Sequence, residues 1–523
     1  MGNYLLRRIV HGILSILAVL AIVMLLIYSL MNRDLIFAMD TNYTKMANNQ
    51  KVVYKYKRWQ EYGYIDYMSY TDYLQKMVDR GEMTREQKEA VASIAVTPDK
   101  DKKETRQYIA KFEEYCKENG FEVTRLNAVY GKGNRLVQGG SQQLFAYRDR
   151  SLFGRLFIYL RSILNVDNIH NTPTVVGDRG LTFVLRDPAY GGEKIAPAII
   201  GNGTTHKYLL YVNDKFPFVH QNLLSLNLGK SYVVNKGIDV FTTMTQTQGS
   251  FVMQTTYYPT GLVEQSADDL HTAVYVENSL KGNVINEARY VDDYTGVQTV
   301  KAGRSKMGYS FIIGIIATIL AYVLGVPLGI IIARNKDKLI DKIGTVYIIF
   351  IMAVPSLAYI FLFKTIGALM GLPTTFNMDS LNWTYYVLPI ISLTLPSVGG
   401  LMRWLRRFMI DQMNSDYVKF ARSTGLSEKE IFSKHILKNA IIPIVHGIPG
   451  SLLGAMTGAI ITERVYVVPG AGNLLTRAIN MYDNSVIVGM TLFYAVLSVV
   501  SIILGDLLMA AVDPRISFTS KAR

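Results

Sequence analysis

The sequence predicts an α-helical polytopic membrane protein with six transmembrane helices and a mixed α/β domain outside the membrane. A helix needs about 20 apolar residues to cross a bilayer, and runs close to that length occur near 9–31, 308–333, 343–363, 386–402, 441–462 and 485–512. A polar stretch of about 270 residues separates the first two runs. A stretch of this size is long enough for one or two domains with their own cores.

The positive charge of the chain indicates how it is oriented. The net charge is +14, yet residues 32–300 hold 32 Lys and Arg against 30 Asp and Glu. The excess therefore lies in short loops beside the apolar runs, at 7–8, 334–342 and 403–438. Because loops rich in Lys and Arg stay in the cytoplasm, we expect both termini inside and residues 32–305 outside. This distribution favours contact with membrane lipid and no nucleic-acid partner.

Residues 1–31 are predicted to form an N-terminal transmembrane helix that is retained in the mature protein. Arg7 and Arg8 precede an apolar run of about 23 residues, as they would in a secretory signal peptide. No small-x-small cleavage site follows the run before Asn32. The run is therefore interpreted as an anchor.

Residues 32–305 are predicted to form the extracellular inserted domain. The stretch from Thr84 to Asn119 is charged and helix-prone, whereas β-branched runs punctuated by Gly, Asn and Asp follow it. Cys116 is the only cysteine, so an intrachain disulfide is excluded and the domain must rely on its own core. Its tyrosines are interpreted first as core residues, and a stacking surface for peptide is the alternative.

The tripeptide from Gly229 to Ser231, with Lys230 between them, invites a nucleotide-binding interpretation. A phosphate loop requires a glycine five positions before its second glycine, and that position holds Leu224. The seven histidines show no metal-ligand spacing. We therefore expect no cofactor, no metal and no ATP chemistry in this chain.

Residues 306–523 are predicted to form a five-helix membrane core with a polar cytoplasmic loop at 405–440. Within and just beyond that loop, residues 415–443 indicate two short helices that Gly425 separates, since glycine tolerates a left-handed turn. Ser427 and Glu430 have the spacing of a capping box that opens the second helix. Such a module at a membrane surface is interpreted as a docking element, with a plain solvated loop as the alternative.

Residues at several places in this core carry a family resemblance. They are Tyr417, Ala421, Arg422, Gly425 and Leu426 in the loop, and further along Glu463, Pro469, Gly470, Asp506, Asp513 and Pro514. Together they resemble the permeases of binding-protein-dependent oligopeptide and dipeptide ABC importers, in the long Gram-positive form with a large extracellular insertion. Lys419 and Phe420 depart from the general motif, which has Glu and Ala there.

The resemblance implies a type I ABC importer-like fold and the function of a permease subunit in a bacterial plasma membrane. It implies four kinds of partner: a second homologous permease, two ATPase subunits, an extracellular substrate-binding lipoprotein and an oligopeptide substrate. ATP and Mg would belong to the ATPase subunits, so this chain is expected to be no enzyme. Ala421 and Gly425 would let an ATPase surface approach closely, and Arg422 would offer a charge contact.

Alternatives remain open at this point. The outer domain could bind a ligand in a membrane-anchored receptor or sensor, although no cytoplasmic output domain is recognisable. A permease of this kind could also carry another solute, such as nickel or an oligosaccharide. A secondary transporter would show related span repeats and buried charge pairs, and neither is evident. Asp506, an acid inside the last apolar run, is expected to be held by a structural hydrogen bond or a basic partner.

Overall fold

The computed structural model describes residues 2–512, with gaps at 96, 128, 131–135, 139–143, 213–218 and 381. Asp513 and Pro514 lie outside the described residues. The chain begins with α1 (Gly2–Leu30), whose apolar part is long enough to cross a membrane. This helix coincides with the predicted N-terminal span.

Residues 32–305 are named the outer region after their expected location, and they are described in two halves. The first half packs short helices on a small antiparallel sheet. Its helices are α2 (Thr41–Lys45), α3 (Asn48–Glu61), α4 (Tyr70–Asp79), α5 (Arg85–Ala92) and α6 (Lys103–Glu118). The strands here are β1 (Ile65–Ser69), β2 (Glu122–Arg125), β3 (Val129–Tyr130), β4 (Leu136–Gln138) and β5 (Leu144–Asp149), of which three pair in the order β1-β5-β2. Tyr70, Leu74, Phe112 and Cys116 are buried together against this sheet, so this half has a core of its own.

The second half of the outer region is mostly β. It contains α7 (Leu152–Ser162), α8 (Val240–Thr245) and α9 (Val284–Arg289). Its strands are β6 (Leu164–Val166), β7 (Gly180–Arg186), β8 (Ile195–Asn202), β9 (Tyr208–Val212), β10 (Val219–Gln221), β11 (Leu224–Leu226), β12 (Gln254–Tyr257), β13 (Val263–Ser266), β14 (Asp268–Asp269), β15 (Val274–Tyr275), β16 (Tyr294–Thr295) and β17 (Gln298–Thr299). Four of them form an antiparallel sheet in the order β10-β9-β8-β7, and two-stranded ribbons surround it.

Tyrosines make up much of the outer core, as the sequence interpretation favours. Tyr258, Tyr275, Tyr290 and Tyr294 are buried in one cluster beside the two-stranded ribbons. Tyr275 and Tyr294 sit opposite each other on paired strands, with stacked rings 5.0 Å apart. Aromatic pairs of this kind contribute beyond the area that they bury. The mixed α/β fold predicted for this region is confirmed, since the region contains both helices and strands.

The membrane part is helical throughout. Its long helices are α10 (Lys306–Arg334), α11 (Leu339–Ala353), α12 (Ser356–Leu369) and α13 (Thr384–Met413). After these come α14 (Asp416–Ser423), α15 (Glu428–Glu430), a π-helix (Ile431–Leu437), α16 (Lys438–Ala440), α17 (Ile442–His446), α18 (Ile448–Gly458), α19 (Ile460–Tyr466), α20 (Ala471–Asn480) and α21 (Asn484–Val512). Among the described residues, five continuous helical stretches are long and apolar enough to cross a membrane.

The predicted third span is not a straight helix. The sequence suggests one run near 343–363, whereas the structure has α11 and α12 meeting at an angle of 109°. Pro355 explains the break, because proline removes a backbone donor and disfavours a helical conformation at the residue before it. Val354 accordingly has extended dihedrals. Counted as one, this bent pair gives the sixth span.

The predicted fifth span, near 441–462, is a chain of short helical segments that starts earlier. Helical backbone runs from Glu428 to Tyr466, so the polar loop and the span are continuous. Pro443 and Pro449 each stand at the start of a segment, where a missing N–H costs least. The span is therefore mechanically joined to the loop that precedes it.

Asp483 ties the outer region to the membrane helices. This fully buried carboxylate accepts a hydrogen bond from Ser231 Oγ at 2.6 Å and from the backbone N–H groups of Tyr232, Val233 and Val234 at 3.0 Å each. The segment after Gly229, which sequence reasoning excluded as a phosphate loop, therefore surrounds a carboxylate of the protein itself.

Candidate functional site

The polar loop is a packed element. Val418 and Ala421 of α14 are buried, and they share one apolar cluster with Leu405 and Met409 of α13 and with Ile436 of the π-helix. The apolar face of α14 thus faces the membrane helices. A packed joint of this kind can transmit a displacement of α14 to α13 and to the following span.

The turn between the two loop helices has the predicted geometry. Gly425 adopts φ +82, and an added Cβ would find no atom within 4 Å. Ser427 then opens the next helix with both hydrogen bonds of a capping box to Glu430. Ser415 stands at the N-cap of α14, but its hydroxyl donates to the carbonyl of Gln412 at 2.6 Å. The hydroxyl of Ser415 therefore does not cap α14.

Tyr417 connects the two arms of the loop. Its hydroxyl donates to Gln412 Oε1 at 2.6 Å and accepts from Asn439 Nδ2 at 3.0 Å. Arg422 is paired within the loop, since its Nε donates to Glu428 Oε1 at 2.8 Å while both side chains stay exposed. The guanidinium predicted to contact a partner is therefore already oriented by a carboxylate of the same turn.

The exposed face of α14 differs from the one suggested by the sequence. Ala421 was expected at the docking surface with Gly425, but only 5% of its surface is exposed. Phe420, noted in the sequence only as a departure from the motif, is 70% exposed, and Leu426 beside the turn is 39% exposed. The exposed side of α14 therefore presents Phe420 among charged side chains such as Asp416 and Lys419.

A bidentate ion pair lies close to this loop. Arg406 of α13 donates from Nε and Nη2 to the two carboxylate oxygens of Asp341, at 2.6 and 2.7 Å. Asp341 is buried, and it also accepts from the backbone N–H of Asp337. The sequence analysis did not identify this pair. The pair fixes α11 against α13 beside the loop.

Glu463 and Gly470 form a close-packed polar joint. The buried Glu463 accepts a hydrogen bond from Ser310 of α10 and another from the backbone N–H of Asn473 at 2.9 Å. An added Cβ on Gly470 would lie 2.3 Å from the Glu463 carboxyl carbon. Pro469 precedes this glycine in the link between α19 and α20. The carboxylate of Glu463 therefore points into the packing between the helices.

Asp506 lies in the last long helix and has partners on α1. Tyr4 donates its hydroxyl to Asp506 Oδ2 at 2.7 Å, and Arg8 pairs with the same oxygen at 3.0 Å. The first and last helices of the chain are thus joined near their ends. Asp513 and Pro514, the remaining residues of the resemblance, follow the last described residue.

A cavity of about 440 Å³ opens between the membrane helices. Its lining includes hydroxyl groups from five helices, namely those of Thr318, Tyr322, Ser356, Tyr359, Ser392, Ser397, Ser451 and Thr462. No charged side chain lines it in the described part of the chain. The cavity can therefore offer hydrogen bonds in an otherwise apolar surrounding. We call it the hydroxyl-lined cleft.

Comparison with known proteins decides the family. The oligopeptide transport system permease protein AmiC of Streptococcus pneumoniae is 34% identical over 100% of this chain and 99% of its own length. This chain belongs to the family of oligopeptide and dipeptide ABC importer permeases. A family model described as the inner membrane component of binding-protein-dependent transport systems matches residues 325–518 of the permease.

Shorter relatives match the membrane part of the permease. The dipeptide transport system permease protein DppB of Lactococcus lactis is 33% identical over 43% of this chain and 73% of its own length. Among solved structures, an amino acid ABC transporter matches at 14% identity and a TM-score of 0.31, over 40% of this chain and 92% of that one. A TM-score this low supports no argument about the fold.

Proposed function

We propose that the permease is one of two related transmembrane subunits of an ATP-driven oligopeptide importer. The observation that carries the proposal is the similarity to the oligopeptide permease AmiC along the whole chain, which includes the large outer region. Similarity confined to the membrane helices would not distinguish oligopeptides from other substrates. The hydroxyl-lined cleft is assigned as this subunit's half of the translocation pathway, since peptide groups need hydrogen-bond partners once water is removed.

The loop at 405–440 is assigned as the site where an ATPase subunit docks. Three features support this assignment: the exposed Phe420 on α14, the turn at Gly425, and a buried joint through Ala421 to α13. A docked ATPase would displace α14 as a body, and the continuous helical backbone from Glu428 to Tyr466 would transmit the displacement. Tyr417, Arg422 and Leu426 belong to the same unit.

The remaining partners follow from this assignment. A second homologous permease would complete the pathway, and two ATPase subunits would bind ATP with Mg and hydrolyse it. An extracellular substrate-binding lipoprotein would deliver peptide to the outer region. The chain would sit in a bacterial plasma membrane with both termini in the cytoplasm and residues 32–305 outside, as the Lys and Arg distribution indicates.

The test of the docking assignment uses two substitutions at Gly425. Gly425→Leu forces a branched side chain into a left-handed conformation and onto the exposed turn, so we expect peptide uptake to fall at least tenfold while the protein stays in the membrane. Gly425→Asn is the matched control, because asparagine tolerates this conformation. Uptake of a labelled peptide by cells and co-purification of the ATPase subunits are measured together. Normal uptake by the leucine variant would contradict the assignment.

A further inference from the structure

A second cavity, of about 210 Å³, lies where the outer region meets the membrane helices. Met24 and Tyr28 in the last turns of α1 form one wall, and Arg155 and Tyr159 of α7 form another. Lys230, next to the segment that surrounds Asp483, completes the lining on a third side. The position beside the end of a membrane-spanning helix places the cavity at the level of lipid headgroups.

The cavity is lined by basic side chains that have no carboxylate partner in the described part of the chain. Two other charged residues line it, but Arg150 pairs with Asp66 and Glu61 pairs with Arg58. Within the described residues, neither Arg155 nor Lys230 has a carboxylate within ion-pair distance. The cavity is therefore electropositive.

Arg155 is also incompletely hydrogen-bonded. Its Nη2 donates to the carbonyl of Tyr64 at 2.8 Å, and its guanidinium lies 5.2 and 4.8 Å from the ring centres of Tyr28 and Tyr64. In the described structure its Nε is buried without a partner, and so is the hydroxyl of Tyr159. Leaving a buried donor unsatisfied is unfavourable, and more so when the group is charged. An anionic acceptor in the cavity would satisfy both donors.

Helix α7 has the amphipathic form of a helix that lies in a membrane surface. Leu156 and Leu160 pack against the cluster that contains Met24 of α1. Next to these leucines on the helix, Phe153 and Phe157 are 81% and 65% exposed. Two phenylalanines exposed to this degree on a helix packed against a membrane span are positioned to enter the acyl region of a bilayer.

We propose that this cavity binds the phosphate group of an anionic phospholipid, with Arg155, Lys230 and Tyr159 as donors and the acyl chains lying beside Ile158, an exposed residue of α7 that also lines the cavity. Arginine presents several N–H groups in a geometry that matches phosphate oxygens. Such a lipid would fill the junction between α1, α7 and the outer region. The site is separate from the hydroxyl-lined cleft and does not depend on the transported substrate.

The test is native mass spectrometry of the full-length chain, delipidated in a neutral detergent and titrated with phosphatidylglycerol. We expect one phosphatidylglycerol to remain bound at collision energies that strip the others. Lys230→Gln and Arg155→Met should each weaken this binding at least fivefold. Arg161→Gln is the matched control, because Arg161 lies on the exposed side of α7 and does not line the cavity. Unchanged binding in Lys230→Gln, whose exposed side chain is dispensable for folding, would overturn the proposal.

Two further titrations identify the source of the phosphate. Phosphatidylcholine should not replace phosphatidylglycerol at equal concentration, and inorganic phosphate at millimolar concentration should not displace it. Displacement by inorganic phosphate would show that the cavity takes a soluble anion, and equal binding of phosphatidylcholine would show that lipid charge is not recognised. Either result would overturn the lipid assignment. The melting temperature of each variant is compared with wild type, so that loss of binding is separated from loss of folding.

Discussion

His271 is a buried histidine whose charge the outer domain stabilises. Its Nε2 lies 2.6 Å from Asp187 Oδ2 and its Nδ1 lies 3.1 Å from Asp269 Oδ1. Tyr211 stacks on the ring at 4.5 Å. Burial lowers the pKa of His271, but the hydrogen bonds to Asp187 and Asp269 outweigh burial and raise its pKa to about 9. His271 is therefore protonated in the folded chain at neutral pH.

This arrangement predicts a pH-dependent stability. Since the pKa in the folded chain is above the ordinary value of 6.5, the stabilisation is complete below about pH 6.5 and is lost as pH rises through about 9. The corresponding free energy is on the order of 3 kcal/mol. Thermal unfolding followed by tyrosine and tryptophan fluorescence should show a melting temperature that falls between pH 6.5 and 9.5.

His271→Gln should remove this pH dependence and lower stability at neutral pH. His170→Gln, which changes an exposed histidine of the same region, should keep the wild-type profile. A flat profile in the wild-type protein would contradict the assigned charge of His271.

Residue-level features were predictable where they are local in sequence. The left-handed Gly425 and the capping box of Ser427 and Glu430 follow from residue types and spacing, and both are present. The burial of Ala421 was not predictable, because it depends on Leu405 and Ile436, which reach it only through the packing of three helices. Sequence similarity marks a residue as important without saying which way its side chain faces.

At the scale of elements, α14 has a buried face that packs on α13 and an exposed face that we propose for docking. Phe420→Ala removes an exposed ring, so we expect it to weaken co-purification of the ATPase subunits at least fivefold while the melting temperature changes little. Ala421→Leu should instead lower the free energy of unfolding by about 1–3 kcal/mol, because it overpacks a filled core. Comparing melting curves with pull-down yields separates the two faces. Equal effects of both substitutions on both measurements would contradict this division of α14.

Asp483 connects the outer region to the membrane helices, and the effect of removing this connection can also be predicted at the scale of elements. Asp483→Asn keeps the size of the side chain but removes the charge that strengthens four hydrogen bonds, so we expect the unfolding free energy to fall by about 3 kcal/mol. Limited proteolysis should then cleave near residues 229–240 faster. Asp178→Asn, on an exposed loop of the outer region, should behave as wild type. Unchanged proteolysis in Asp483→Asn would contradict a supporting role.

Element boundaries show what the sequence could and could not define. Helices α1, α10 and α21 match the predicted runs closely, because each is a continuous apolar stretch. The bend between α11 and α12 was missed although Pro355 signals it, since hydropathy averages over the break. The π-helix at Ile431–Leu437 has no marker in the sequence that distinguishes it from an α-helix.

At the scale of the whole molecule, the outer and membrane parts share a core. Leu228, Val240 and Met244 from the outer region are buried in one cluster with Val486 of α21 and Leu20 of α1. The outer region therefore does not end in a polar surface where it meets the helices. Composition alone indicated a boundary near residue 305 and could not reveal this shared burial.

This shared core predicts the behaviour of the outer region alone. Residues 32–305 produced without the membrane helices should aggregate or melt at a lower temperature than in the full chain. The reason is that the apolar side chains of Leu228, Val240 and Met244 would be exposed to water. Replacing Leu228, Val240 and Met244 together by serine should restore solubility of the fragment. Size-exclusion chromatography with light scattering measures both outcomes. A monomeric and thermally stable unmodified fragment would contradict the shared core.

The segment around Ser231 has one more consequence for the whole molecule. It is an anion site whose ligand, the Asp483 carboxylate, is covalently part of the same chain. The effective concentration of this carboxylate at the site is therefore constant, and dilution of the protein cannot release the carboxylate. A freely diffusing phosphate would therefore have to displace a tethered competitor before it could occupy this segment.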